Sequence, residues 1–187
     1  MKTKTFTILF LALILFIGCD RSIDKNGANL KNKSDFKLAS NYYEFSDKME
    51  NGDTLKIIVN LSVCMWNEYD LIEFTKTNDS IYLELKEKVV MDQDTFRYPK
   101  KLYKFQEDIT NLEKMIIEFD INNREEINSP FYIISNPAEN DTIFLRTEGL
   151  SDRIDKIERY QRFIETFYPN EMQKYKELYQ TPPPPPE

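Results

Sequence analysis

The chain has 187 residues, 25 Lys and Arg against 32 Asp and Glu, and no His, for a formal charge of −7. An acidic chain is repelled by phosphate backbones, so nucleic acid is not an expected partner. Without His there is no Ser-His-Asp or Cys-His nucleophile and no His-ligated zinc or copper site. An enzyme built from this sequence would depend on carboxylates, Lys, Tyr or bound calcium.

At the start of the chain, Lys2 and Lys4 precede an apolar run from Phe6 to Ile17, and Gly18-Cys19 closes it. The run is shorter than the roughly 20 apolar residues of a typical spanning helix and has the layout of an export signal. Positive start, short apolar stretch and Gly-Cys together resemble the signal and lipobox of bacterial lipoproteins. Phe16 stands where that motif most often has Leu. The resemblance covers the first nineteen residues only. It implies that residues 1–18 are removed and that Cys19 becomes a lipidated N-terminus carrying several acyl chains. A protein held this way stays on its membrane, inner or outer, facing the periplasm or the surface, because more than one chain anchors it. Asp20 follows the Cys, a residue that retains such proteins on the inner membrane in some lineages but not in all.

Removing residues 1–18, which hold two Lys and no acid, takes the formal charge from −7 to −9. The remaining 169 residues suit one domain. Residues 19–35 are the lipidated Cys and a polar stretch with few apolar side chains, which reads as a flexible tether. Sixteen such residues fully extended would reach about 50 Å. Residues 36–180 form the expected globular domain. Residues 181–187, with five consecutive Pro, have the composition of an exposed polyproline II tail. Such a segment is able to dock an aromatic groove, although composition alone reads as a plain tail.

Within the domain a turn signature recurs. Asn51-Gly52-Asp53-Thr54 precedes LKIIVNL, Asn78-Asp79-Ser80 precedes IYLEL, and Asn140-Asp141-Thr142 precedes IFLR. Short polar side chains that bond the local backbone, followed by β-branched or aromatic runs, predict turns leading into strands. Apolar runs before the second and third turns make those two into hairpins. The predicted strands are 54–65, 69–76, 80–88, 97–105, 114–121, 130–135 and 142–147. The segment 114–121 carries two periodicities. Ile117, Phe119 and Ile121 alternate as in a strand, while Ile109, Leu112, Ile116 and Phe119 have helical spacing. The expectation is a helical turn at 107–113 leading into a strand.

Beyond Gly149 the pattern becomes helical. Ser151 is an expected N-cap with Asp152 in the first turn. Ile154, Ile157, Ile164 and Phe167 share one face, and Asp155–Arg159 and Glu158–Arg162 are acid-first pairs on the other. Pro169 is placed to start a second helix, with Met172, Tyr175 and Leu178 or Tyr179 as its apolar stripe. Strands followed by two helices predict an α+β fold, an antiparallel sheet of about six to seven strands with two C-terminal helices against it.

No catalytic or cofactor motif stands out. Asp92-Gln93-Asp94 opens like a calcium loop, but Arg97 and Tyr103 occupy the positions that need Gly and Glu, so no metal site is assigned. Glu68, Asp70 and Glu73 cluster after Trp66. Two carboxylates flanking a sugar can hydrolyse it, but acids are common in this chain and chance proximity is the favoured reading. Cys64 lies in an apolar run and reads as a buried inert thiol. Three aromatic groups, Tyr42 with Tyr43 and Phe45, Trp66 with Tyr69, and Tyr98 with Tyr103, are of the kind enriched at recognition surfaces, although filling a β core is the favoured reading for all of them. Trp66 with Tyr69 is the best candidate for a contact surface, because Trp66 falls in a turn. The expected function is a lipid-anchored binding, inhibitory or accessory module of the cell envelope without a cofactor. Its partners are a membrane, through Cys19, and a protein or glycan. The alternative is an envelope hydrolase that uses paired carboxylates on glycan or peptidoglycan.

Overall fold

The computed structural model describes residues 34–91, 94–103, 111–119 and 129–179. The expected signal segment, Cys19, nearly all of the expected tether and the proline-rich end lie outside the described residues. No helix among the described residues is long and apolar enough to cross a membrane.

The fold is α+β. Seven strands, β1 (Thr54–Asn60), β2 (Glu68–Thr77), β3 (Ser80–Val90), β4 (Asp94–Phe96), β5 (Lys101–Tyr103), β6 (Tyr132–Asn136) and β7 (Asp141–Leu145), make one antiparallel sheet. The order is β4-β3-β2-β1-β6-β7, and β5 pairs with the other end of β3. Among the described residues five helices accompany it: α1 (Leu38–Asn41), α2 (Phe45–Lys48), α3 (Leu112–Ile116), α4 (Leu150–Phe167) and α5 (Pro169–Tyr179). Their buried side chains, among them Leu38, Phe45, Ile116, Phe163 and Met172, join Ile57, Ile72, Leu83 and Ile134 of the sheet in a single core. The helices therefore cover one face of the sheet.

The three turn clusters do what their chemistry dictates. Gly52, Asn78 and Asn140 have φ of 92°, 53° and 53°, a region that Gly enters freely and Asn more easily than bulkier residues. Asn78 and Asp79 close the β2–β3 hairpin, where Thr77 faces Ser80. Asn140 ends the loop of the β6–β7 hairpin, where Asn136 faces Asp141.

Three segments depart substantially from the sequence reading, while the other strand ends agree with it within two residues. The first strand ends at Asn60 and not at 65, because Asn60 Oδ1 accepts from Ser62 N at 3.0 Å and Val63 and Trp66 exchange backbone hydrogen bonds across a tight turn. Cys64 sits in that turn at φ 53° and is exposed, which corrects its reading as a buried thiol. Of the expected strand 97–105, only Lys101–Tyr103 (β5) is strand among the described residues, and a separate short strand, β4, lies ahead of the expected span, with Pro99 between the two. Proline has no N–H for a ladder, and its carbonyl instead accepts from Tyr168 OH at 2.8 Å.

The third difference is 114–121, where residues 114–119 are not a strand. Asn111 caps α3 by accepting from Glu113 N at 2.9 Å. Leu112, Met115, Ile116 and Phe119 are all buried while Ile117 is 58% exposed. Helical spacing buries four apolar residues here, and the alternating set would have buried Ile117 and left Ile116 out.

Helix α4 is turned slightly from its expected face. Arg153, Tyr160, Phe163 and Ile164 are buried, with Ile157 and Phe167 half-buried against the core, while Ile154 is 42% exposed. The residue before the helix is Gly149, so Ser151 lies inside the first turn. Arg153 fixes this end by donating to the carbonyls of Asn60 and Ser62, at 2.8 and 2.9 Å. Arg159, expected to pair with Asp155, reaches Glu118 instead, with Lys156 beside it at 2.7 Å. The hydrogen bond from Arg159 leads in holding the Glu118 carboxyl down at about 2. Pro169 starts α5 as expected, and Met172 and Tyr175 are buried, but Leu178 is 59% exposed.

Burial ranks the contributions along α4. Truncating a core Ile costs ~2–5 kcal/mol and a surface change within about 0.5 kcal/mol. Urea unfolding should place Ile164→Ala in the first class and Ile154→Ala near the second. Equal losses for both would mean that the helix is not seated as described.

Candidate functional site

The concentration of buried charge lies where β2 and β3 meet α4 and α5. On β2, even-numbered residues from Glu68 to Phe74 face the helices. On β3 the inward residues are first Ile81, Leu83 and Leu85. A bulge then intervenes, since Leu71 faces Glu87 while Ile72 faces Leu85. The extra residue reverses the alternation, as any one-residue slip does. Lys88 consequently points inward, directly opposite Asp70.

Lys88 is enclosed. Its Nζ lies 2.5 Å from Glu68 Oε1 and 3.0 Å from Asp70 Oδ1, with all three side chains almost fully buried. Tyr160 of α4 donates to Asp70 Oδ2 at 2.8 Å. Tyr175 of α5 donates to Glu68 Oε2 at 2.6 Å, and Trp66 Nε1 donates to the same oxygen at 2.8 Å. Lys88 also stands over the Tyr175 ring, 4.3 Å from its centroid. The strands set the ions and the helices supply the neutral donors.

One cation serves two acids, and the titration directions follow from that. Burial raises the Asp70 carboxyl most, Glu68 raises it further, and Lys88 and the Tyr160 hydroxyl offset this only in part, so it stands above 3.8. Burial pulls Lys88 down, but two facing carboxylates outweigh it, so the amine stays charged through neutral pH. Tyr160 is pushed well above its ordinary value, chiefly by burial and then by Asp70, and remains a donor.

The cavity beside the cluster has a volume of about 10 Å³. A space of this size holds about one water. General acid–base work on a sugar requires the carboxylates to reach substrate, and here Glu68 and Asp70 face side chains on every bonded oxygen. Of the three acids clustered in the sequence, Glu73 is on the opposite face of β2, 3.4 Å from Lys86. A larger groove of about 300 Å³ lies on the outer side of Tyr175, between residues 96–99 and α5.

The two sequence-selected contact residues are not brought together. Trp66 is half-buried and directed to Glu68, on the helix-covered side. Tyr69 is half-buried on the other face, which no helix among the described residues covers. On that face Phe144, Ile133, Ile58 and Leu71 are successive cross-strand partners from β7 to β2. Cross-strand neighbours on one face stand close enough to form a continuous strip. Phe144 is 48% exposed, and the other three are half-buried. The strip was missed in the sequence because its members come from four separate strands. Lys88 was missed because the bulge leaves no local mark.

No protein-family model matches the chain, and no curated protein and no solved structure matches it.

Asp70 makes stability depend on pH in a particular direction. A carboxyl raised in the folded state favours folding where it is protonated, and that contribution is lost as pH rises through its folded value. Urea unfolding from pH 4 to 8 should show the wild type losing stability relative to Asp70→Asn as pH rises. A wild type that gains on the variant over this range would reverse the assignment.

Proposed function

We propose that the chain is a lipid-anchored binding, inhibitory or accessory module of the bacterial cell envelope, held at a membrane through Cys19 and acting through the uncovered face of its sheet. The observation that carries this reading is the Phe144–Ile133–Ile58–Leu71 strip, with Tyr69 on the same face. Apolar side chains in a continuous exposed strip favour association, because covering them removes apolar surface from water. Three of the four strip residues are aliphatic, which suits a protein partner better than a glycan. Lys56 and Glu73 are cross-strand neighbours next to the strip and give it a polar border, the usual anatomy of a protein interface.

Anchoring at Cys19 rests on the lipobox resemblance. The hydrolase reading has less support, because the inward acid pair Glu68 and Asp70 is closed by Lys88, Tyr160, Tyr175 and Trp66 beside a cavity of about 10 Å³. The cluster serves instead to lock α4 and α5 to the sheet.

Crosslinking in native membranes tests both parts. Cys19→Ser should abolish incorporation of a palmitate analogue and release the protein from the membrane fraction. Phe144→Glu should leave labelling and membrane attachment intact but reduce the crosslinked partner band at least about tenfold, the loss expected for ~1.4 kcal/mol. Undiminished labelling of Cys19→Ser would overturn the anchor, and an undiminished band with Phe144→Glu would overturn the binding face.

A further inference from the structure

We propose that the proline tail, residues 182–186, folds back onto the same chain and occupies the groove between residues 96–99 and α5. The groove has a volume of about 300 Å³, and Phe96, Tyr98, Pro99, Tyr175 and Leu178 supply its apolar surface. Leu178 is 59% exposed on the last turn before the tail begins, Pro99 is exposed as well, Phe96 and Tyr98 are half-buried, and Tyr175 is buried. Aromatic-lined grooves with donors along them are the general recognition surface for polyproline II, whose carbonyls make no internal hydrogen bonds. Arg97 and Lys174 also line this groove and bring such donors to it.

Length and charge favour the tail of this chain as the occupant. Five prolines at ~3.1 Å each span about 15 Å, and the eleven residues of α5 at ~1.5 Å each span about 16 Å. Gln180 and Thr181 separate the helix from the first proline and supply the reversal. A tail running back along α5 brings Glu187 to the start of that helix. The dipole there favours an acid, and Lys101 lies nearby, its Nζ 5.8 Å from the Tyr168 ring centroid. The groove is lined by two cations, Arg97 and Lys174, and one acid, Glu171, with Glu87 3.5 Å from Arg97, in a chain whose overall charge is negative. Occupation would shield Tyr175, the residue that ties α5 to Glu68. The tail would then brace the C-terminal helix from outside while Lys88 holds it from within. This inference does not depend on anchoring or on the partner-binding face.

Amide hydrogen exchange on the full chain tests it, with Pro182 to Pro186 each replaced by Ser in the comparison protein. A tethered segment acts at an effective concentration of about millimolar, so a free-peptide Kd near 0.1 mM gives about tenfold protection. Exchange at Arg97 and Tyr98 and along 171–178 should therefore be about tenfold faster in the Ser-substituted chain. Leu178→Ser, a change at an exposed position, should give a similar acceleration with the tail intact. Free peptide of sequence TPPPPPE, added to the Ser-substituted chain, should restore protection at the same amides. Equal exchange in the wild-type and Ser-substituted chains would overturn the proposal. So would protection that rises with protein concentration, which would assign the groove to the tail of a second copy.

Discussion

A lysine ammonium withdrawn from water is stable only where its charge is matched and its donors are used, and Lys88 is given both by Glu68 and Asp70. The arrangement constrains everything around it. It requires the β3 bulge, since without the extra residue opposite Leu71 the strand would turn Lys88 toward solvent. It leaves two carboxylates sharing one cation, so further donors are required. Tyr160, Tyr175 and Trp66 provide them, one each from α4, α5 and the β1–β2 connection. Four separate parts of the chain thereby converge on two carboxylates. The apolar core would hold the helices against the sheet in many registers, because hydrophobic burial is not directional. The hydrogen bonds to Asp70 and Glu68 select one of them.

That selection divides the two faces of the sheet between different tasks. The inner face spends its polar side chains on fixing helices, and the cavity beside its buried charges is about 10 Å³. The outer face is free of that duty, and there the apolar strip from Phe144 to Leu71 remains partly exposed. Covering that strip would remove apolar surface from water, which is the physical basis of the proposed binding face.

Local chemistry in the sequence was a good guide to local structure. The Asn-containing turns, both hairpins, Pro169 as a helix start and the α+β order can all be read from neighbouring residues. The misreadings arise where distant residues decide. Residues 114–119 satisfied both periods, and the burial of Leu112, Met115, Ile116 and Phe119 against the core selected the helix. Residues 97–100 read as strand in the sequence, but Pro99 has no N–H to offer, and the ladder on β3 stops on either side of it, at Phe96 and Lys101. The acids at 68 and 70 were visible as a cluster, but their partner Lys88 lies eighteen residues beyond Asp70 and faces inward only through a bulge. Trp66 and Tyr69 looked like one surface because they are three residues apart, and the strand between them sends them to opposite faces.

The central claim is that the buried charge cluster holds the fold in register as a matched set. Comparison of Lys88→Met with the triple variant Lys88→Met, Glu68→Gln, Asp70→Asn by urea unfolding tests it most directly. Removing one member of a buried ion cluster strands its partners and typically costs ~3–5 kcal/mol, whereas neutralising the whole set relieves that penalty. The account predicts a loss in that range for the single variant and recovery of more than half of it in the triple. A single-variant loss below ~1 kcal/mol, or a triple variant less stable than the single, would contradict it.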